Sequence, residues 1–486
     1  MNIVDIKKWT NKQRLPLFIT ATCTFTSYDD SDFVSAGEET FLNPSGGVVA
    51  LLTTTRAVFA SENEKLTRLV LDNLLRKADG PQRVGDIMRR SKNEYVGNAA
   101  NQQKFTLIGD PATIIAKPQY DVKTTQVNGR AVTDAALDTL RAFDKVTLAG
   151  QVVDQSGNLL SNFNGIVYPT VFDKEVNFKT LGQDSGSPII NFDIQKNTLF
   201  KGKATVKNGL FEFTFVVPKD INFQFGAGKI SYYAADQGQM IDAAGHYQKV
   251  IIGGASDNLL TDQDGPEVDV FMNTTDFVFG GLTDENPTLL VTLEDENGIN
   301  VVGNSIGHDL EAVLDDDTQN TYLLNDFYEA KQDDYTKGEV RFPLANLEEG
   351  LHRLQVKAWD VANNPADGYT EFVVSTSAEV ALRHVLNYPN PFTDRTCFQF
   401  DHNLSGQQMD VLIQIYTVSG RLVKTLEQTL ITDGAIRLDD CIEWDGRDDF
   451  GDRLARGVYL YKVGVRVNNA SLLKGESDFQ KLVLLK

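Results

Sequence analysis

The residues of this chain that could do chemistry are few: three cysteines, five histidines and a handful of acidic turns. Cys23 stands alone in the first third of the sequence, and a lone cysteine serves either as a small buried hydrophobe or as a nucleophile. A cysteine nucleophile needs a thiolate, a nearby imidazole and donors for the oxyanion. The sulfur and its own backbone N–H offer the first and third. The second is missing locally, because His246, His308, His352, His384 and His402 all fall far downstream. Cys397 and Cys441 could pair in an oxidising compartment, but sequence alone does not bring their Cβ atoms together. Asp262-Gln263-Asp264-Gly265, Glu294 to Gly298 and Asp315-Asp316-Asp317 could offer oxygens to calcium. None has EF-hand spacing, and Asp and Asn favour turns without a metal, so solvated turns are expected and no metal or cofactor is assigned.

Cys23 follows directly on Leu15 to Thr22, a short, mostly apolar run. Val48 to Leu52 is a second such run, introduced by Gly46-Gly47, and Phe105 to Ile108 a third, stopped by Gly109-Asp110-Pro111. Between them, Asn63 to Lys77 places Leu66, Leu69, Val70 and Leu74 largely at helical spacing. Buried strands alternating with helices imply an α/β unit with a parallel sheet, and the C-terminal edge of such a sheet is where ligands bind. After Pro118 the texture becomes period-two, as in Lys145 to Gly150 and Leu210 to Val217, with Asn208-Gly209 and Asn297-Gly298 as turn signals. The expected organisation is an α/β unit over 1–118, then β-sandwich modules over 119–265, 266–377 and 378–486.

With 486 residues, several cores are required. The formal charge of −21, from 46 basic and 67 acidic side chains, repels phosphate backbones and argues against nucleic acid as a partner. No apolar run is long enough to span a membrane.

Leu15 to Asp30, LPLFITATCTFTSYDD, closely resembles the nucleophile segment of gingipain-type cysteine peptidases, whose fold is caspase-like. Ser35 to Glu38, Gly46 to Arg56 and Phe105 to Pro111 resemble the segments that follow it there. Phe163 to Thr170, Val217 to Asn222 and Lys357 to Val361 are similar to the sortase subgroup that serves type IX secretion. The last module, with Asn387 to Phe392, Trp444 to Asp448 and Gly457 to Val463, looks like the C-terminal signal domain of type IX cargo. The resemblance covers nearly the whole chain. In that family the histidine precedes the cysteine, on a strand that here would lie upstream of Met1. The resemblance therefore implies the second half of a caspase-like parallel sheet followed by all-β sandwich modules, and a chain inactive as a peptidase by itself.

The resemblance further implies a surface sortase, associated with the outer membrane, that removes C-terminal signal domains from secreted cargo and passes the new carboxyl end to a surface glycolipid. Cys23 would attack the scissile carbonyl and form a thioester, and its backbone N–H would be one oxyanion donor. Thr54, Thr55 and Arg56, just past the second strand, are candidates for the substrate wall, with ordinary loop residues as the other reading. An outer-membrane docking protein of the secretion system is the implied partner of the last module. Two other readings stand beside the enzyme: a non-catalytic pseudo-peptidase scaffold docked on an outer-membrane partner, and a glycan-binding adhesin.

Overall fold

The computed structural model describes residues 3–7, 9, 11–12, 14–30, 32–76, 82–133, 138–183, 186–257, 261–303, 307–375, 382–467 and 474–485. The chain divides into two units, Met1–Lys117 and Pro118–Lys486. The first is α/β and the second is built of β-strands, the fold class expected from the sequence.

In the first unit, β1 (Leu17–Ile19) pairs in parallel with β2 (Ala50–Thr54), in the register Phe18 opposite Leu51. All five β2 residues are buried. Leu51 and Leu52 have no exposed surface, and burying such side chains contributes about 1.5–3 kcal/mol each. β3 (Phe105–Ile108) also pairs with β2, but antiparallel. That direction differs from the all-parallel expectation and has a local cause. The short helix Ala99–Lys104 runs straight into β3, and the Thr55 N–H donates to the Lys104 carbonyl at 2.9 Å. The chain thus re-enters the sheet at the edge where β2 left it, and can only run back.

Helix α3 (Ala60–Leu75) covers the sheet with Leu66 and Val70, while Leu71 and Leu75 stay exposed. Its buried stripe is Asn63, Leu66, Val70 and Asn73, one face at spacings of three and four, with a polar residue at each end. Helix α4 (Val84–Glu94) adds Val84, Ile87 and Met88 to the same core. Helix α1 (Ile3–Lys7) opens the unit, and helix α2 (Ala36–Leu42) starts on a capping box, in which Ser35 and Glu38 each satisfy the other's backbone N–H.

Among the described residues the second unit holds three β cores. A nine-stranded, a three-stranded and a two-stranded sheet lie within residues 120–255, around a core that includes Val146, Leu148, Phe163, Phe215 and Ile230. Residues 267–374 form a four-stranded sheet and a five-stranded sheet around Leu289, Val291, Val340, Leu354 and Phe372. The first core also takes in Val302 and Tyr335, so the two share packing. Residues 382–484 form one seven-stranded sheet organised by the 22-residue strand Thr396–Thr417, whose two ends pair with different neighbours and contribute Phe398, Phe400, Ile413 and Ile415 to a single core. The chain between the second and third β cores, residues 376–381, falls outside the described residues, and with it the expected boundary between 377 and 378. Cys397 and Cys441 are disulfide-bonded, with Cα atoms 5.4 Å apart, because the strands Thr396–Thr417 and Ile442–Trp444 lie side by side. Among the described residues, no helix is long and apolar enough to cross a membrane.

Candidate active site

Beyond β1 the backbone stays on the sheet only as far as Thr20, whose N–H donates to the Leu52 carbonyl at 2.9 Å. It rejoins at Thr26, whose N–H donates to the Thr54 carbonyl at 3.1 Å. Residues 21–25 arch outward between those two bonds, and Cys23 sits in the arch with an exposed side chain. Thr24, the next residue, has φ +49, a left-handed backbone that a β-branched side chain adopts only when its surroundings impose it. The sulfur donates to the Val58 carbonyl at 3.4 Å. Among the described residues, the Cys23 N–H has no acceptor.

What imposes the arch is a set of hydroxyls. Thr54 Oγ1 donates to the Thr22 carbonyl at 2.5 Å, and Asn63 Nδ2 reaches the same oxygen at 3.4 Å. Beneath them, Thr53 Oγ1 lies 2.8 Å from Thr20 Oγ1 and 3.0 Å from Thr26 Oγ1. On the flank, the Gly37 N–H in the first turn of α2 donates to the Phe25 carbonyl at 2.9 Å. Glu62 fastens the start of α3, and so Asn63. It pairs with Lys65 at 2.7 Å and accepts from Tyr95 Oη at 2.5 Å and the Asn98 N–H at 3.1 Å. Lys65 first, then Tyr95 and the Asn98 N–H, pull its carboxyl down to about 2. Burial, reinforced by Glu62, pushes the Tyr95 hydroxyl up to about 12.

The three residues named as wall candidates lie at different depths. Thr54 is fully buried, under the arch rather than on its surface. Thr55 is half-buried, and its carbonyl accepts from Ser27 Oγ at 3.3 Å. Arg56 is exposed and grips Asp29 through two bonds of 2.8 and 2.6 Å, and the hydrogen bond from Arg56 holds the Asp29 carboxyl below its usual range. Arg56 and Asp29 therefore form an exposed ion pair that ties the end of β2 to the chain a few residues beyond Cys23.

No histidine occurs in residues 1–117. Of the five in the second unit, three face carboxylates: His308 Nδ1 lies 2.9 Å from Asp220, His352 Nδ1 2.7 Å from Asp315, and His384 Nδ1 2.5 Å from Asp401. His402 is buried, with Nε2 2.5 Å from Thr432 Oγ1. The acidic turns are more varied than solvated loops. Asp315 and Asp316 do sit in an exposed turn with positive φ. Asp295 and Asp360 are buried, and with Asp262 they bring carboxylate oxygens within 4.8 Å of one another. Asp295 turns inward because its Oδ1 accepts the Asn297 and Gly298 N–H groups, and burial pushes its carboxyl up to about 6.

Thr54 was legible as a residue near the nucleophile. Gly37 and Thr53 fell inside segments that resemble the family but had no role until the arch is seen, and Asn63, a polar residue on a helix face, carried no signal.

Comparison with curated proteins gives no match. Among solved structures, dimeric latent PorU from Porphyromonas gingivalis is similar at 28% identity over 90% of this chain and 41% of that one, with a TM-score of 0.36. The complex of the pro- and mature domains of Porphyromonas gingivalis RgpB is similar at 14% identity over 50% of this chain and 49% of that one, with a TM-score of 0.22. A tetra-tandem repeat from the extending region of a large adhesion protein matches at 15% identity over 71% and 73%, with a TM-score of 0.17. The chain thus spans about two fifths of the length of the first of these. The family model of peptidase family C25 matches residues 1–116, the whole arch and its supports included. That segment is thus similar to peptidase family C25, the gingipain family of cysteine peptidases.

Proposed function

We propose that Cys23 is the nucleophile of a cell-surface cysteine peptidase and transpeptidase. The observation that carries this is the arch: an exposed sulfur raised off the end of a buried sheet, with its own N–H unpartnered among the described residues, inside the segment that matches the family. The thiolate attacks the scissile carbonyl, the Cys23 N–H meets the oxyanion, and the amine leaves with a proton. The resulting thioester is resolved by water or by an amine. Because residues 1–117 hold no histidine, this chain by itself is expected to turn peptides over slowly.

The finer reading is a sortase that cleaves C-terminal signal domains from type IX cargo and passes the cargo to a surface glycolipid. The third β core, over residues 382–484, would dock on an outer-membrane protein of the secretion system. The sequence resemblance of the sortase-like segments and of the C-terminal module supports this. A direct test is cargo processing in the cells that make the protein. With Cys23→Ala, secreted cargo is expected to keep its signal domain and lack the glycolipid. Cargo processed as in unaltered cells would refute the assignment and leave the scaffold reading in its place.

A further inference from the structure

The structure assigns to Thr54 a role beyond the nucleophile itself, one that rests on the reading of Cys23 given above: we propose that Thr54, backed by Asn63, is the positioning residue that aims the Cys23 N–H at the oxyanion. The Thr22–Cys23 peptide is trans, so its C=O and N–H point in opposite directions across a rigid plane. Thr54 Oγ1, 2.5 Å from the Thr22 oxygen, draws that carbonyl down toward the sheet. The N–H on the other side of the plane is thereby turned up and outward, where among the described residues it has no acceptor.

Thr54 controls both ends of the turn. Its side chain holds Thr22, and its backbone carbonyl holds the Thr26 N–H at 3.1 Å. One buried residue therefore fixes the two anchors between which Cys23, Thr24 and Phe25 are suspended. The positive φ at Thr24 is what such a double anchor imposes.

Asn63 supplies the second hold. It is only 2% exposed, its amide N reaches the Thr22 carbonyl, and its Oδ1 is buried without a hydrogen-bond partner. An unmade bond at a buried amide is costly. Its retention fits a side chain placed to grip the arch rather than to satisfy itself.

The test separates two reactions of the same sulfur. With p-nitrophenyl acetate, sulfur bonds to the carbonyl carbon, an oxyanion forms, and nitrophenolate departs with its electron pair. The thiol proton is lost to the buffer. With iodoacetamide, sulfur displaces iodide from a saturated carbon and no oxyanion appears at the reacting carbon. Thr54→Val keeps the shape and removes the hydroxyl, and Thr54→Ser keeps the hydroxyl. The expected result is that Thr54→Val slows Cys23-dependent acylation by about tenfold to a hundredfold, the scale of a displaced oxyanion donor. Alkylation by iodoacetamide should stay within about twofold, since it needs no oxyanion donor. Thr54→Ser should retain acylation, and Asn63→Ala should lose part of it, which keeps the claim testable if the valine variant fails to fold.

Equal slowing of both reactions, acylation unchanged in Thr54→Val and Asn63→Ala, or a serine variant as impaired as the valine one would overturn the positioning role while leaving Cys23 as nucleophile. A wild-type chain that is alkylated at Cys23 but shows no Cys23-dependent acylation would overturn the nucleophile and the positioning role together.

Discussion

Gly37 and Thr26 meet so closely that a Cβ added to Gly37 would lie 1.9 Å from Thr26 Oγ1 and 2.6 Å from Thr26 Cβ. In an ordinary exposed helix, replacing glycine by alanine stabilises by about 0.5–1 kcal/mol. Here the sign reverses, because the methyl group must push the helix off the arch. Gly37→Ala is expected to destabilise the first unit by about 1–3 kcal/mol, the range for overpacking. It should also slow acylation of Cys23, because the Phe25 carbonyl loses its anchor. Thermal unfolding and the acylation rate check both.

The disulfide between Cys397 and Cys441 closes a loop across 44 positions. On the chain-entropy account, a closed loop of that length stabilises by about 4 kcal/mol. Cys397→Ala combined with Cys441→Ala should lower the unfolding transition of the last β core and leave the first unit unchanged. Differential scanning calorimetry with and without reductant reads this, and a transition unmoved by reduction would contradict it.

His402 in the same core has no exposed surface. Burial, with Arg437 nearby, drives its imidazole down to about 4, against an opposing pull from Asp401. Between about pH 6.5 and 4 the unfolded chain holds a proton at this position that the folded chain does not. Stability from this group is therefore fully present above 6.5 and is lost as pH falls through 4, by up to roughly 3 kcal/mol. Compared with His402→Gln, the wild type should lose ground over that window and run parallel to it below. Parallel curves from pH 7 to 4 would show that the imidazole is solvated.

How much of this could be read from the sequence follows from which forces are local. The run Val48 to Leu52 announced a buried strand because it is apolar throughout. The strand in fact ends at Thr54, since Thr53 and Thr54 are buried through their hydroxyl bonds, which hydropathy does not register. The α3 pattern was visible in Leu66 and Val70, but the same stripe carries Asn63 into the site, and an asparagine among leucines looks like surface. The direction of β3 depended on where the helix Ala99–Lys104 delivers the chain, and the Cys397–Cys441 bond on two strands lying side by side. Both are long-range facts. Cys23 itself was legible only because its whole neighbourhood, and not the cysteine alone, resembles a known nucleophile segment.

On the proposed assignment the arch makes Cys23 an acyl-accepting nucleophile with a donor for the oxyanion. Since Cys397 and Cys441 are bonded to each other, Cys23 is the one free thiol among the three cysteines, and its modification is read without interference. The measurement is the ratio of its rate with p-nitrophenyl acetate to its rate with iodoacetamide, set against the same ratio for glutathione and located by peptide mass mapping. Dividing one rate by the other removes the thiolate fraction, leaving the oxyanion contribution. An acyl adduct on Cys23, absent in Cys23→Ala, and a ratio at least about tenfold above that of glutathione are expected. A ratio equal to that of glutathione would mean that the arch presents an ordinary surface thiol with no donor for the oxyanion.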